Sequence, residues 1–376
     1  MTVLGLLAFT VLGVLSLANT REAMSGAGAS IDQLGRVEQV RTNLLRADAG
    51  AAHLLLGAGG YQDPLGEARS VLVEAAAAAP TDASALAEIN RHIDAYAAEL
   101  EQARVGRDTP AGEAALIEAG RSLRTEVLPL VDALVDQTSE RVDSQTQPVS
   151  LVPLVLSGLF TLAALIGTAI TLALRFRRLI NLGLTAAIVL VAVSLGIGWS
   201  AIANANIELH QVGTTETAVF RASALARGSA YDARAQEALL LIQRRSEPQA
   251  QQAWSRAAAT TGIALDQLPE GLAYDLRVAW GRYTSKHEDL RALGAQGRWD
   301  EAIRDALHSD RETTGGRFEV FDRTVTETMN QSLTTSGILL KRSLALEVGA
   351  IAIGIAGFLA LLCGWLGVRP RLREFT

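Results

Sequence analysis

Four long apolar segments, at residues 2–18, 149–174, 179–203 and 348–368, bracket two polar, Ala-rich blocks of similar length. About 20 apolar helical residues cross the ~30 Å hydrocarbon layer of a bilayer at ~1.5 Å per residue. Segments 149–174 and 179–203 carry no Asp, Glu, Lys or Arg up to Leu174 and beyond Leu179, and 348–368 is equally uncharged. All three read as membrane spans. For 2–18 the alternative is a cleaved signal peptide. The segment lacks the basic start such peptides carry, and Leu17-Ala18-Asn19 is a poor small-residue cleavage site. It also repeats within the third segment: Leu4-Gly5-Leu6, Val11-Leu12 and Ser16-Leu17 return at the same spacing as Leu182-Gly183-Leu184, Val189-Leu190 and Ser194-Leu195. The second half therefore reads as a copy of the first, each copy a span, a helical block and a span. Arg175-Phe176-Arg177-Arg178 precedes the third segment while nothing basic precedes Leu4, which leaves the true start of the chain open.

Basic residues near span ends set orientation. Arg175, Arg177 and Arg178 lie between the second and third spans, and Arg369, Arg371 and Arg373 follow the fourth. Both groups are expected at the cytoplasmic face, where they fix topology and meet lipid phosphates. The expected order is span 1–19, outer block 20–148, span 149–174, cytoplasmic turn 175–178, span 179–203, outer block 204–347, span 348–368 and cytoplasmic tail 369–376. Both termini are then cytoplasmic, the blocks extracytoplasmic, and the protein a multi-pass component of the plasma membrane.

Both outer blocks carry helical periodicity and neither alternates with a strand period. In the first, Ile31, Leu34, Val37, Val40, Leu44 and Leu45 keep spacings of three and four. Gly57-Ala58-Gly59-Gly60 ends that helix and Asp63-Pro64 opens the next, which stops at Pro80. Asp82 is expected to cap a third helix, to about Arg104, and Thr109-Pro110 to start a fourth that runs unbroken into the second span. The second block repeats the plan: a helix from about Asn204 to Arg245, a second from Pro248 to Pro269, a third over 271–294, and a last one from Gly297-Arg298-Trp299 into the fourth span. Asp48-Ala49 resembles Asp232-Ala233, and Val131-Asp132 matches Phe321-Asp322. The expected fold is all-α: four transmembrane helices and two tandem extracytoplasmic antiparallel four-helix bundles, each able to fold alone.

Chemistry is mostly absent. The net charge of −6 comes without blocks of like charge and leaves no nucleic-acid footprint. The only cysteine, Cys363, sits in the fourth span, so no disulfide holds the blocks. His53, His92, His210, His287 and His308 show no metal-ligand spacing, and neither a nucleophile elbow nor a phosphate loop is present. No enzyme activity, metal or cofactor is expected. The uncharged spans also argue against transport, which needs ionisable groups or broken helices at mid-membrane.

Three sets of residues remain as candidates. Arg41, Arg46, Arg227 and Arg234 lie on the first helix of each block, where a guanidinium fork suits a carboxylate ligand. Tyr61, Gln62, Asp63, Arg107 and Asp108 of the first block, with Arg244, Arg245, Glu247, Arg298, Trp299 and Asp300 of the second, fall at turns expected to lie farthest from the membrane. An aromatic beside charges suits a docking surface there, although Trp299 could equally cap its own bundle. The third set is the six cytoplasmic arginines.

Two span–bundle–span units resemble the sensing modules of bacterial chemoreceptors and histidine kinases, without the signalling hairpin or kinase domain that follows in those proteins. The duplicated form with short cytoplasmic segments resembles the GlnX-like actinobacterial membrane proteins. That resemblance implies amino-acid sensing between an extracytoplasmic solute-binding lipoprotein and a cytosolic Ser/Thr protein kinase, by non-enzymatic relay. It rests on architecture, repeat and composition and assigns no binding residue. The alternative is a structural or assembly scaffold of the cell envelope. Ligand and homo-oligomeric state stay open.

Overall fold

The computed structural model describes residues 2–176, 182–244, 248–341 and 344–372, with side chains placed except at 175–176, 344–345 and 364–372. Among them every regular element is helical. The chain forms two compact units, one of residues 1–29, 143–214 and 337–376 and the other of residues 30–142 and 215–336.

The first unit is built from the apolar stretches. They belong to α1 (Thr2–Leu55), α6 (Val152–Phe176), α7 (Leu182–Gln211) and α13 (Leu344–Leu372). These four helices are long and apolar enough to cross a membrane. Hydrophobicity does not hold helices together in lipid, so close packing and hydrogen bonds must. At Gly198 a side chain would press on Ile353 and Leu154. The Thr161 hydroxyl donates to the Gly5 carbonyl at 2.8 Å, and Arg21 pairs with Glu347 at 2.6 Å. Leu4, Phe160, Val193, Ile351 and Phe358 are exposed, which is compatible with an apolar environment.

The second unit contains the polar blocks. In its first half α1 is joined by α2 (Gln62–Ala78), α3 (Ala83–Val105), α4 (Pro110–Ser122) and α5 (Leu128–Gln145). Leu44, Leu72, Ile89, Ile93, Leu100, Leu123 and Val131 share one core. In the second half α8 (Thr217–Gln243), α9 (Pro248–Asp266), α10 (Glu270–Ala295), α11 (Trp299–Leu307) and α12 (Thr314–Leu340) gather Ala226, Ala233, Leu265, Leu276, Tyr283 and Phe321. The two cores exchange residues: Ala238 of α8 enters the first, and Leu45 and Ala49 of α1 enter the second. The first helices of the two halves thus pack face to face.

Several expected boundaries hold. Thr109 caps α4 by accepting from the Gly112 amide, with Pro110 in the first turn, and Gly57 and Gly59 take positive φ (103° and 87°) to end α1. Three do not. The fourth helix does not run unbroken into the second span, because α5 ends at Gln145 and α6 begins at Val152. Pro148 explains the break: it lacks an N–H and pushes its predecessor out of helical geometry. Asn206 fills the gap, accepting from the Val149 amide at 2.8 Å and donating to its carbonyl at 3.0 Å. The last helix is likewise divided, since α11 ends at Leu307 and α12 starts at Thr314. Thr314 anchors the restart through its amide to Asp305 at 3.1 Å. Asp82 does not act as a cap. Its carboxylate is buried and takes a two-pronged bond from Arg141, at 2.8 and 2.6 Å. Burial would raise its pKa, but the Arg141 bonds outweigh that and hold it below the usual range.

Candidate functional site at the paired first helices

Arg41 and Asp48 of α1 and Arg227, Asp232, Arg234 and Glu237 of α8 fall into three layers. In the outermost of these in sequence, Arg41 bonds Asp132 at 2.7 Å and Arg227 bonds Asp322 at 2.7 Å. Each half therefore ties its first helix to its last by the same pair, at the positions where Val131-Asp132 matched Phe321-Asp322. Both guanidiniums pair with internal acids of their own half.

The second layer centres on Arg124. Between α4 and α5 the chain makes one π-helical turn, Leu123–Val127, a local widening often found at functional positions. Arg124 in that turn reaches both first helices: Nη2 donates to Asp48 at 2.9 Å and to Asp232 at 2.5 Å, and Nε to Asp232 at 3.0 Å. Nη1 returns to the Gly120 carbonyl at 2.7 Å, and the buried Tyr96 hydroxyl lies 3.4 Å from Asp48. The two aspartates are those whose local sequence repeats. Burial opposes the charge on Arg124, but the two carboxylates outweigh it and raise its pKa. Burial raises that of Asp48, and Arg124 only partly offsets this.

The third layer is buried entirely. Glu237 accepts from Arg234 at 2.5 Å, from the Tyr283 hydroxyl at 3.2 Å, and meets His287 Nδ1 at 2.7 Å. Trp254 stacks on His287 with ring centroids 3.7 Å apart. Burial alone would raise the Glu237 pKa, yet Arg234 and the His287 bond bring it below the ordinary value. Arg234 also donates to the Ala306 carbonyl at 2.5 Å.

Beside this layer lies a polar cleft of about 660 Å³. Its walls come from α1, the 57–60 turn, the start of α2, α8 and the start of α12. Arg46, His53, Asp63, Tyr231, Arg234 and Glu319 are its titratable lining. The 57–60 turn closes so tightly on α1 that a side chain at Gly50 would occupy the Gly60 carbonyl. His53 Nε2 is buried without a hydrogen-bond partner.

Of the turn residues singled out by sequence, Arg244 meets Asp300 and Arg107 meets Asp108. Tyr61 is 4% exposed and gives its hydroxyl to Glu101 at 2.7 Å; burial first, then that bond, pushes its pKa to about 12. Trp299 packs on the cluster of Leu241, Leu290, Ala302 and Ala306, over Gly294. Arg107, Asp108, Arg244 and Arg298 are exposed. Each arginine has a nearby acid: Asp108 at 3.5 Å, Asp300 at 2.9 Å and Glu301 at 2.5 Å, respectively. Arg245, Glu247, Arg177, Arg178 and Arg373 lie outside the described residues, and the side chains of Arg175, Arg369 and Arg371 outside those placed. Among the described residues no cluster of His, Cys, Asp and Glu suits a metal ion.

Sequence reasoning passed over Arg124, Glu237, Tyr96 and His287. The one available signal was the repeated Asp-Ala pair at 48 and 232, which marked the acids but not the arginine between them. No curated protein and no solved structure matches the chain. Residues 23–147, which hold Asp48, Tyr96 and Arg124, match the family model described as the actinobacterial sensor domain. That match supports an actinobacterial sensor protein.

Proposed function

We propose that the chain is a non-enzymatic transmembrane relay whose moving parts are α1 and the helix formed by α7 and α8. The observation that carries this reading is the Arg124 contact. One guanidinium, set in a π-helical turn, holds equivalent aspartates on two helices that are each continuous with an apolar segment. The helix carrying Asp48 runs from Thr2 to Leu55, and the one carrying Asp232 from Leu182 to Gln243. A change that loosens or shifts the contact has a direct mechanical route along both rods, because small displacements of packed helices are the usual currency of such switches. In this reading the polar unit lies outside the cell, both termini face the cytoplasm, and the membrane is the plasma membrane. The two halves act as tandem bundles. A solute-binding lipoprotein reporting amino-acid availability is the proposed outer partner, and a soluble Ser/Thr protein kinase the inner one.

The test is a distance measurement. Spin labels at Leu4→Cys and Leu182→Cys, both exposed positions near the far ends of these helices, are compared in the native chain and in Arg124→Gln, with Cys363→Ser as background. Relay requires the label distance to change by about 1–2 Å or more. A fixed scaffold gives the same distribution in both.

A further inference from the structure

We infer that the cleft beside the Arg234–Glu237 layer binds a small zwitterion, a molecule of amino-acid or dipeptide size carrying one carboxylate and one ammonium. At about 660 Å³ it falls within the size range of small-molecule sites, roughly 300–1,000 Å³. Its lining is more polar than apolar and carries both signs of charge. Arg46 and Arg234 stand on one pair of helices, α1 and α8, while Asp63 and Glu319 enter from the starts of α2 and α12. A simple anion would meet two carboxylates, and a simple cation two guanidiniums. A ligand with both charges can satisfy both sides.

Each charged group has capacity to spare. Arg46 makes only an exposed 3.1 Å pair with Glu67, so its fork can turn to a carboxylate. Arg234 uses two of a guanidinium's donors, on Glu237 and Ala306. Glu319 accepts one bond, from the Ser309 hydroxyl at 2.5 Å. His53 is another lining residue, and its Nε2 is buried and unpartnered. A buried donor or acceptor left without a partner is destabilising, and a ligand atom that reached it would relieve this. Gly59 and Gly60 bring the main chain to the cleft without side chains in the way. Since α1 and α8 supply both guanidiniums, an occupant bridges the same two helices that Arg124 ties together. The assignment deepens the sensing reading and rests on it for its physiological meaning, but binding is measurable without any relay.

The experiment uses the full chain in detergent micelles, titrated calorimetrically with each common L-amino acid and with dialanine. Butyrate and butylamine serve as single-charge controls. At least one zwitterion should bind with Kd in the millimolar range or tighter, and both controls should bind at least about tenfold more weakly. Arg46→Ala and Asp63→Asn should each weaken that zwitterion about tenfold. Both residues are at the surface, and a melting temperature equal to the native one confirms that each variant is folded. Absence of binding by every zwitterion overturns the assignment, as does equal binding of butyrate or unchanged affinity in both variants. If a zwitterion binds while the Leu4–Leu182 distance stays fixed under Arg124→Gln, the site stands and the relay falls.

Discussion

Arg124 serves two acids, and the acids are unequal. Asp48 has a side chain only 6% exposed, whereas that of Asp232 is 32% exposed. Losing the arginine strands Asp48 in particular. Breaking a buried pair from one side costs about 3–5 kcal/mol, and since Arg124 is itself partly exposed, Arg124→Ala should cost about 3 kcal/mol in denaturant melts. Adding Asp48→Asn should recover part of that loss, because only the partly exposed Asp232 then lacks its partner; strict additivity would show that the contact is not coupled. His53 gives a pH signature. Burial first, then the Arg234 charge, lowers its pKa to about 3, against about 6.5 in an unfolded chain. The folded state refuses a proton that the unfolded state accepts. Its contribution is therefore complete above about pH 6.5 and is lost as pH falls from there towards 3, by at most about 1.4 kcal/mol per unit. His53→Gln should flatten the fall of melting temperature between pH 6.5 and 4.5. The Glu237 carboxyl, held low by Arg234 and His287, adds its own loss only below the ordinary carboxylate range.

At the scale of elements, most of the architecture was legible because helices announce themselves locally. Spacings of three and four in 31–45, the Gly57–Gly60 run and Thr109-Pro110 each act within a few residues, and the structure follows them. The breaks after Gln145 and Leu307 carry local signals of their own, Pro148 in the first and the run 308–317 without an apolar side chain in the second, and the sequence reading bridged both. The site was least legible. Arg124 lies 76 residues from Asp48 and 108 from Asp232, and a π turn carries no sequence code. The Asn206 bonds to Val149 are of the same non-local kind. Asn206→Leu removes the hydrogen-bond partners of both the Val149 amide and the Val149 carbonyl. It should lower stability by about 2 kcal/mol and speed amide exchange at Val149 while leaving exchange at Leu44 unchanged.

At the scale of the whole molecule, orientation is open to direct labelling. With Cys363→Ser as background, cysteines at Arg107 and Arg298, both exposed, should react with an impermeant thiol reagent in intact cells, and one at Arg177 should not. Reaction at Arg177 from outside would invert the proposed topology. The shared cores bear on whether either half folds alone. A soluble piece spanning 20–148 keeps its own four-helix core but loses the α8 side chains that cover Leu45 and Ala49. It should be strongly helical by circular dichroism and should self-associate in sedimentation, a second copy covering the exposed α1 face. A monomer with a fully cooperative melt would show that the face tolerates water.

The α8 helix is buried nearly all round, and many of its buried residues are small: Ala222, Ala224, Ala226, Ala230, Ala233, Ala235 and Ala238, with Gly228 and Ser223 between them. Large side chains interlock, and an interlocked helix must climb over its neighbours to move along its axis. Methyl groups leave shallow ridges. The packing that holds α8 against α1 is thus strong against separation and weak against sliding, in the manner of a smooth bearing. Ala226→Leu would roughen that surface. It should cost about 1–3 kcal/mol through overpacking and, more tellingly, should freeze the Leu4–Leu182 label distance even when Arg124 is replaced.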